Sequence, residues 1–196
     1  NIVLALVKSI VGILGSSPAL LADGINSTSD VVYYLVVSVF VRAANKPADD
    51  EHPFGHTQYE SVGALVVGAF VITTALTLFW NAIDTLIHLL QEKSDFTGGS
   101  LLALYVALGT VLVKIALFVI TSRIGKRTNN ETVEALAADH RNDILAASAA
   151  ALGIFMGRLG YLWMDPAAGG LVAFFILRTG ISIVRESTAA LMDTVP

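Results

Sequence analysis

The chain has 196 residues, of which 55% are hydrophobic and 14% are charged, with a formal net charge of −4 and no cysteine. Soluble domains carry about 25% charged residues, so this composition and the mean hydropathy of +0.70 exclude an ordinary soluble domain and indicate a membrane protein. The small, dispersed charge argues against a nucleic-acid partner, and the lack of cysteine excludes disulfides and thiolate metal sites.

Six apolar blocks follow one another along the chain, each close to the roughly 20 residues that a helix needs to span a bilayer. They predict helices over residues 1–15, 18–42, 60–82, 99–122, 133–156 and 166–186. The sequence therefore predicts an all-α membrane protein with six transmembrane helices in one domain, residues 1–196. Because the chain opens inside an apolar block and ends abruptly, we expect a clipped N-terminus and a missing following domain.

Lysine and arginine are unevenly distributed between the two sets of loops. Six lie in or beside the 42–59 loop, the 123–132 loop and the C-terminal end: Arg42, Lys46, Arg123, Lys126, Arg127 and Arg185. The alternate loops hold only Lys93 and Arg158. Because cytoplasmic loops carry the excess of positive charge, we expect both chain ends to be cytoplasmic. The expected location is a bacterial inner membrane.

The second predicted helix, "ALLADGINSTSDVVYYLVV", carries Asp23, Asn26 and Asp30 inside an apolar segment. An ionisable group at bilayer depth costs at least about 2.5–3.5 kcal/mol on insertion scales and therefore indicates a function. Asn26 and Asp30 are four residues apart, so they lie on one helical face. Asp23 is nearer the outer end, where it caps the helix, packs within it or lines an entrance.

The fifth predicted helix, "ALAADHRNDILAAS", repeats this spacing with Asp139 and Asp143. Asp30 and Asp143 are roughly 18 and 15 Å deep at 1.5 Å per residue, near the midplane of a core about 30 Å thick. If the two faces oppose each other, three carboxylates and one carboxamide oxygen converge. Such a set needs a cation, and oxygen ligands favour Mn²⁺, Mg²⁺ or Ca²⁺.

An alternative is that these aspartates pair with Lys114 and Arg141 and only fasten the bundle. His140 and Arg141 point away from the Asp139 and Asp143 face in a regular helix, so His140 is interpreted as a neighbouring group and not a ligand. Lys114 is expected to snorkel toward the cytoplasmic side, without a role in transport.

The loop "PADDEHPFGHTQYE" holds a second cluster, in which Asp49, His52 and His56 are spaced three and four residues apart. Carboxylate and neutral imidazole are ordinary ligands of Zn²⁺ and Mn²⁺. The alternative is a solvated acidic loop, because Pro53 and Gly55 break any helix that would align the ligands. The spacing alone leaves both interpretations open.

Four stretches taken together resemble the cation diffusion facilitator family of divalent metal transporters: "LLADGINSTSD", "KPADDEHPFGHTQYES", "VEALAADHRNDILAAS" and "DPAAGGLVAFFILRTGISIVRES". The resemblance implies a six-helix membrane domain that works as a homodimer and exports metal from the cytosol in exchange for protons. It also implies a transport site between the second and fifth helices, at Asn26, Asp30, Asp139 and Asp143. The matching loop residues Asp49, His52 and His56 imply a second metal site.

Zinc-selective members of that family usually have histidine at the position of Asp139, so this chain is more similar to the manganese-exporting branch. The expected substrate is Mn²⁺, with Zn²⁺ or Fe²⁺ as alternatives within the same transporter class. Two other classes stay open: a metal-binding membrane subunit that does not transport, and a proton-linked exporter of organic cations. No cofactor is expected, and the sequence contains no nucleophile–base pair or phosphate-binding loop that would indicate an enzyme.

Overall fold

The computed structural model describes residues 1–49, 52–53, 55–91, 97–128 and 131–192. These residues form six α-helices in the predicted order. They are α1 (Ile2–Leu14), α2 (Pro18–Ala44), α3 (Gln58–Leu90), α4 (Leu101–Thr128), α5 (Glu131–Arg158) and α6 (Met164–Leu191). The all-α class and the number and order of the helices are therefore confirmed.

Four of these helices, α2, α3, α4 and α6, are long and apolar enough to cross a membrane. The described part of α1 is apolar but has only 13 residues. The 28-residue α5 is long enough, but it carries Asp139, Arg141 and Asp143 within one and a half turns. Length and composition thus support four of the six predicted spans. They do not by themselves support α1, which is short, or α5, which carries three charged residues close together.

Among consecutive helices, α1–α2, α2–α3, α4–α5 and α5–α6 pack against each other, and glycines lie at close approaches in this bundle. A Cβ on Gly24 of α2 would lie 2.6 Å from the backbone nitrogen of Ser9 in α1. Likewise, a Cβ on Gly180 of α6 would lie 2.8 Å from the side chain of Ile72 in α3. Small residues let membrane helices pack closely where the hydrophobic effect does not drive association.

Helix α2 is central because it contributes to both apolar cores. One core joins Ala22 of α2 to α3 and α6 around residues such as Val71 and Ile176. The other joins Leu20 of α2 to α4 and α5 around Ala107 and Ile154. The polar residues of α2 consequently lie between two packed helix groups.

The bundle has two chemically different ends. The turn end contains the short connections 15–17 and 159–163, where the backbone N–H of Ser100 donates to the carbonyl of Gly15 at 2.9 Å. The loop end contains the 45–57 connection between α2 and α3. The predicted membrane orientation places this loop end in the cytoplasm.

Candidate metal centre

The transport-site residues predicted from the sequence lie on two helices that pack against each other, α2 and α5. Asn26 and Asp30 of α2 are half-buried. Asp30 lies within electrostatic range of Asp143 and Asp139 of α5. The structure therefore brings the acidic faces of α2 and α5 together.

Two of the carboxylates are held by other side chains. The hydroxyl of Tyr34 donates to Oδ2 of Asp139 at 3.3 Å, and Nζ of Lys114 forms an ion pair with Oδ2 of Asp143. Among the described residues, the carboxylates of Asp30, Asp139 and Asp143 are not gathered within 4.8 Å of one another. The arrangement is thus an acidic cleft balanced by a lysine, and not a closed coordination shell.

The expectation that Lys114 snorkels to the cytoplasmic side is wrong. Lys114 is only 1% exposed, and besides Asp143 it donates to Oδ1 of Asn1 at 3.0 Å. The ion pair suggested as an alternative is therefore present at Asp143, whereas Arg141 is exposed. His140 is 5% exposed and lies on a different face of α5 from the exposed Asp139, as the helical geometry predicts.

Asp23 lies in a buried ion pair that the sequence interpretation did not identify. Its Oδ2 is 2.9 Å from Nζ of Lys8, and both side chains are 1% exposed. Lys8 also donates to Oγ of Ser27 at 2.6 Å. The cap of α2 is Ser17, whose Oγ accepts from the backbone N–H of Leu20. Asp23 consequently packs between α1 and α2 and does not cap the helix.

The loop cluster is brought together by a turn and not by a helix. One potential ligand atom from each of Asp49, His52 and His56 lies within 4.8 Å of the others. The ring centroids of His52 and His56 are 4.4 Å apart, and Nδ1 of His56 is 3.2 Å from the carbonyl oxygen of Pro47. Gly55 has φ +84, a conformation that glycine adopts readily and that reverses the chain between the two histidines.

Asp49 organises this loop. Its Oδ1 accepts from the backbone N–H of His52 at 2.7 Å, and its Oδ2 is 3.5 Å from Nε2 of His56. The backbone hydrogen bond, followed by the side-chain hydrogen bond with His52, lowers the pKa of Asp49 below its ordinary value. Asp49 is therefore a carboxylate at neutral pH, as a metal ligand must be.

Asp165, which is buried like Asp23, lies at the turn end. Its Oδ1 accepts from Oγ of Ser17 at 3.0 Å and from the backbone N–H of Ala19 at 2.9 Å. Asp165 opens α6, so it links the start of α6 to the start of α2. The sequence interpretation quoted this residue within a motif but gave it no role.

The helical fold, the acidic cleft between α2 and α5 and the loop cluster define a membrane domain with two candidate metal sites. The chain belongs to the cation efflux family: the model of the cation efflux transmembrane domain matches residues 1–192. This match confirms the resemblance found in the sequence motifs, and together with the apolar helices it identifies an integral membrane protein.

Relatives from plants and bacteria agree with this assignment. The chain is 34% identical over 203 residues to metal tolerance protein C1 of Arabidopsis thaliana, covering 98% of this chain and 43% of that protein. It is 33% identical over 214 residues to metal tolerance protein 2 of Oryza sativa subsp. japonica, covering 98% and 55%. It is 30% identical over 200 residues to the manganese efflux system protein MneP of Bacillus subtilis, covering 98% and 65%. The chain thus spans about half the length of the two plant proteins.

Proposed function

We propose that this chain is the transmembrane domain of a divalent metal cation exporter whose transport site is formed by Asn26, Asp30, Asp139 and Asp143. The observation that carries the proposal is that α2 packs against α5, with Asp30 within electrostatic range of Asp143 and Asp139. Three carboxylates on facing helices are costly in a membrane unless a cation accompanies them. A transported dication supplies that charge.

The mechanism we propose is alternating access with exchange of metal for protons. Metal enters the acidic cleft from the loop end, which the charge distribution assigns to the cytoplasm. The helices then rock so that the cleft opens toward the turn end, where the metal leaves. Protons from that side neutralise the carboxylates after release, because α2 and α5 cannot return carrying several uncompensated charges at low energetic cost.

Mn²⁺ is the proposed principal substrate. The donor set of three carboxylates and one carboxamide contains only oxygen, which suits Mn²⁺ better than imidazole- or thiolate-based sites do. One relative of this chain is named as a manganese efflux protein, which supports the same choice. Zn²⁺ and Fe²⁺ are the alternatives within this class.

The loop cluster of Asp49, His52 and His56 is proposed as a second metal site at the loop end. It combines one carboxylate with two imidazoles and therefore suits Zn²⁺ as well as Mn²⁺. We further propose that the protein works as a homodimer in a bacterial inner membrane. Cross-linking of the purified protein in lipid tests the dimer.

Flux measurements in proteoliposomes test the transport proposal. Mn²⁺ uptake should depend on an imposed pH gradient, and Asp30→Ala and Asp143→Ala should each abolish uptake and the part of Mn²⁺ binding that does not depend on the loop cluster. Asp84→Ala is the matched control, because this carboxylate is 59% exposed on α3 and away from the cleft. Uptake that ignores the pH gradient would exclude antiport, and uptake that survives both cleft substitutions would exclude the site.

One observation favours a second candidate, a proton-linked exporter of organic cations. Tyr34 donates to Asp139 and packs edge-on against Tyr33 with ring centroids 5.6 Å apart. Aromatic rings beside a carboxylate suit a bulky cation. Competition decides between the two: tetraphenylphosphonium should leave Mn²⁺ uptake unchanged if the site is built for metal.

A further inference from the structure

Two lysines are buried among the carboxylates of the bundle, and they have different partners. Lys8 of α1 and Lys114 of α4 are each 1% exposed. Lys8 binds Asp23 and Ser27, which are not proposed metal ligands. Lys114 binds Asp143, which is a proposed metal ligand. An ammonium group therefore lies on one oxygen of a carboxylate that the transported metal must also use.

We propose that Lys114 is the internal counter-ion of the transport site, which the metal ion must displace from Asp143 in order to bind fully. This inference rests on the proposed function and adds a residue that controls affinity and release. Lys114 is a positioning residue in this scheme, because it acts on the metal through Asp143.

The charge balance of the cleft supports exchange of the Lys114 ammonium group for a metal ion at Asp143. Asp23 is paired with Lys8, and among the described residues Lys114 is the ammonium group that forms an ion pair within the set of Asp30, Asp139 and Asp143. Three carboxylates and one ammonium carry two net negative charges, the number that one divalent cation neutralises. A site with this balance accepts a dication without accumulating charge in the membrane, where uncompensated charge is costly.

The surroundings of Lys114 allow its ammonium group to leave Asp143. Lysine carries a point charge on a flexible stem of four carbons with rotatable donors, so it can exchange partners without moving α4. Asp30 and Asp23 both lie within electrostatic reach of Lys114. The displaced ammonium group consequently stays beside other carboxylates and remains available to return to Asp143 when the metal leaves.

This role predicts an unusual pair of effects for Lys114→Met. Removing a cation that competes for Asp143 should tighten Mn²⁺ binding at least tenfold, measured by calorimetric titration of the purified chain in nanodiscs at pH 8. The same variant should release metal more slowly, so both the KM and the maximal rate of uptake should fall. A lysine that only fastened α4 to α5 would instead give weaker binding and a higher KM.

Matched variants separate this effect from general electrostatics and from damage to the fold. Lys8→Met removes an equally buried ion pair, so its Mn²⁺ affinity should stay within about twofold of the wild type. Lys114→Arg keeps the charge and should restore wild-type affinity. Lys114→Gln replaces Lys114→Met if the latter does not fold. Equal tightening in Lys8→Met, or unchanged or weaker binding in the folded Lys114 variant, would overturn the proposal.

The same titrations distinguish failure of this inference from failure of the transport proposal. If Asp143→Ala removes the Mn²⁺ binding that remains after His56→Ala silences the loop cluster, and Lys114→Met has no effect, only the counter-ion role is wrong. If the chain with His56→Ala binds none of Mn²⁺, Zn²⁺ and Fe²⁺, the proposed transport site itself is wrong, and the counter-ion role is overturned with it.

Discussion

At the residue scale, Asp139 is the position at which the metal preference of the cleft is most open to change. It is exposed and accepts a hydrogen bond from the hydroxyl of Tyr34. Asp139→His would replace one hard oxygen ligand with an imidazole nitrogen, which suits Zn²⁺. We expect the ratio of Zn²⁺ to Mn²⁺ affinity to rise about tenfold, a change of about 1.4 kcal/mol, measured by competition titration.

Asp139→Asn is the control for this substitution, because it keeps an oxygen donor but removes the charge. It should weaken binding of both metals without favouring Zn²⁺. If Asp139→His leaves the ratio unchanged, the oxygen-only argument for Mn²⁺ fails. The adjacent His140, which is buried on another face of α5, would then be the first group to test as a source of nitrogen ligation.

The loop cluster has a pH dependence whose direction follows from Asp49. Its pKa lies below the ordinary aspartate value, so its contribution to a bound metal is present at neutral pH and is lost only on strong acidification, below about pH 4. Asp49 therefore contributes no weakening of loop binding between pH 7 and 5. The Asp30→Ala variant removes binding at the transport site, so its remaining Zn²⁺ binding reports on the loop cluster. In that background, His56→Ala should abolish Zn²⁺ binding. Asp49→Asn should weaken Zn²⁺ binding without changing how the affinity varies between pH 7 and 5.

Local spacing predicted part of the site, and contacts between helices account for the rest. The four-residue spacing in α2 and α5 was sufficient to place Asn26 with Asp30 and Asp139 with Asp143. The pairing of Lys8 with Asp23 depends on how α1 folds back on α2, since each residue lies seven or eight positions from Ser16 in the intervening turn. That nearly equal spacing on the two sides of the turn could have indicated the Lys8–Asp23 pair. The pairing of Lys114 with Asp143 depends on the rotation of α4 against α5, which no local pattern specifies.

At the scale of elements, the α1–α2 contact depends on the absence of a side chain at Gly24. A Cβ there would lie 2.6 Å from the backbone nitrogen of Ser9 and 2.9 Å from the backbone carbonyl carbon of Lys8. Since backbone cannot rotate away, Gly24→Ala should force α1 off α2 and lower the free energy of unfolding by about 1–3 kcal/mol. Thermal unfolding in detergent measures this.

Gly109 of α4 provides the matched control, because a Cβ at that position meets nothing within 4 Å. Gly109→Ala should be neutral or raise stability by up to about 1 kcal/mol, since alanine favours helix more than glycine does. Equal loss of stability in both variants would show that the α1–α2 approach is not the cause.

Asp165 should hold α6 to α2 at the turn end. Asp165→Ala removes the acceptor for Ser17 Oγ and for the backbone N–H of Ala19 and leaves both donors buried. Hydrogen bonds to a charged group contribute about 1.5–3 kcal/mol each, so we expect a loss of at least about 2 kcal/mol in thermal unfolding. Asp84→Ala, on an exposed carboxylate of α3, should cost less than about 0.5 kcal/mol.

Helix order was predictable from the apolar blocks, whereas some helix ends were not. The prediction ended the third helix at residue 82, but α3 continues to Leu90. Asp84 and His88 in this extension are exposed, so the polar residues lie on the outer face of a continuing helix. A hydropathy pattern cannot distinguish such a face from the end of a span, because helix formation needs only one buried side.

At the scale of the whole molecule, the side from which metal enters the loop end depends on the orientation of the bundle in the membrane. The excess of lysine and arginine at that end predicts a cytoplasmic position. Because the chain contains no cysteine, one introduced cysteine reports its own location without background. Lys46 and Tyr161 are both exposed and lie at opposite ends of the bundle.

A thiol reagent that does not cross membranes should label Lys46→Cys only in inside-out vesicles and Tyr161→Cys only in intact cells. Labelling in the opposite pattern would place Asp49, His52 and His56 outside the cell. The loop cluster would then meet metal from the exterior, and the proposed entry of cytosolic metal at the loop end would be wrong. The orientation of the bundle therefore decides the side on which each proposed site first meets metal, whereas the proton and metal gradients set the direction of the proposed exchange.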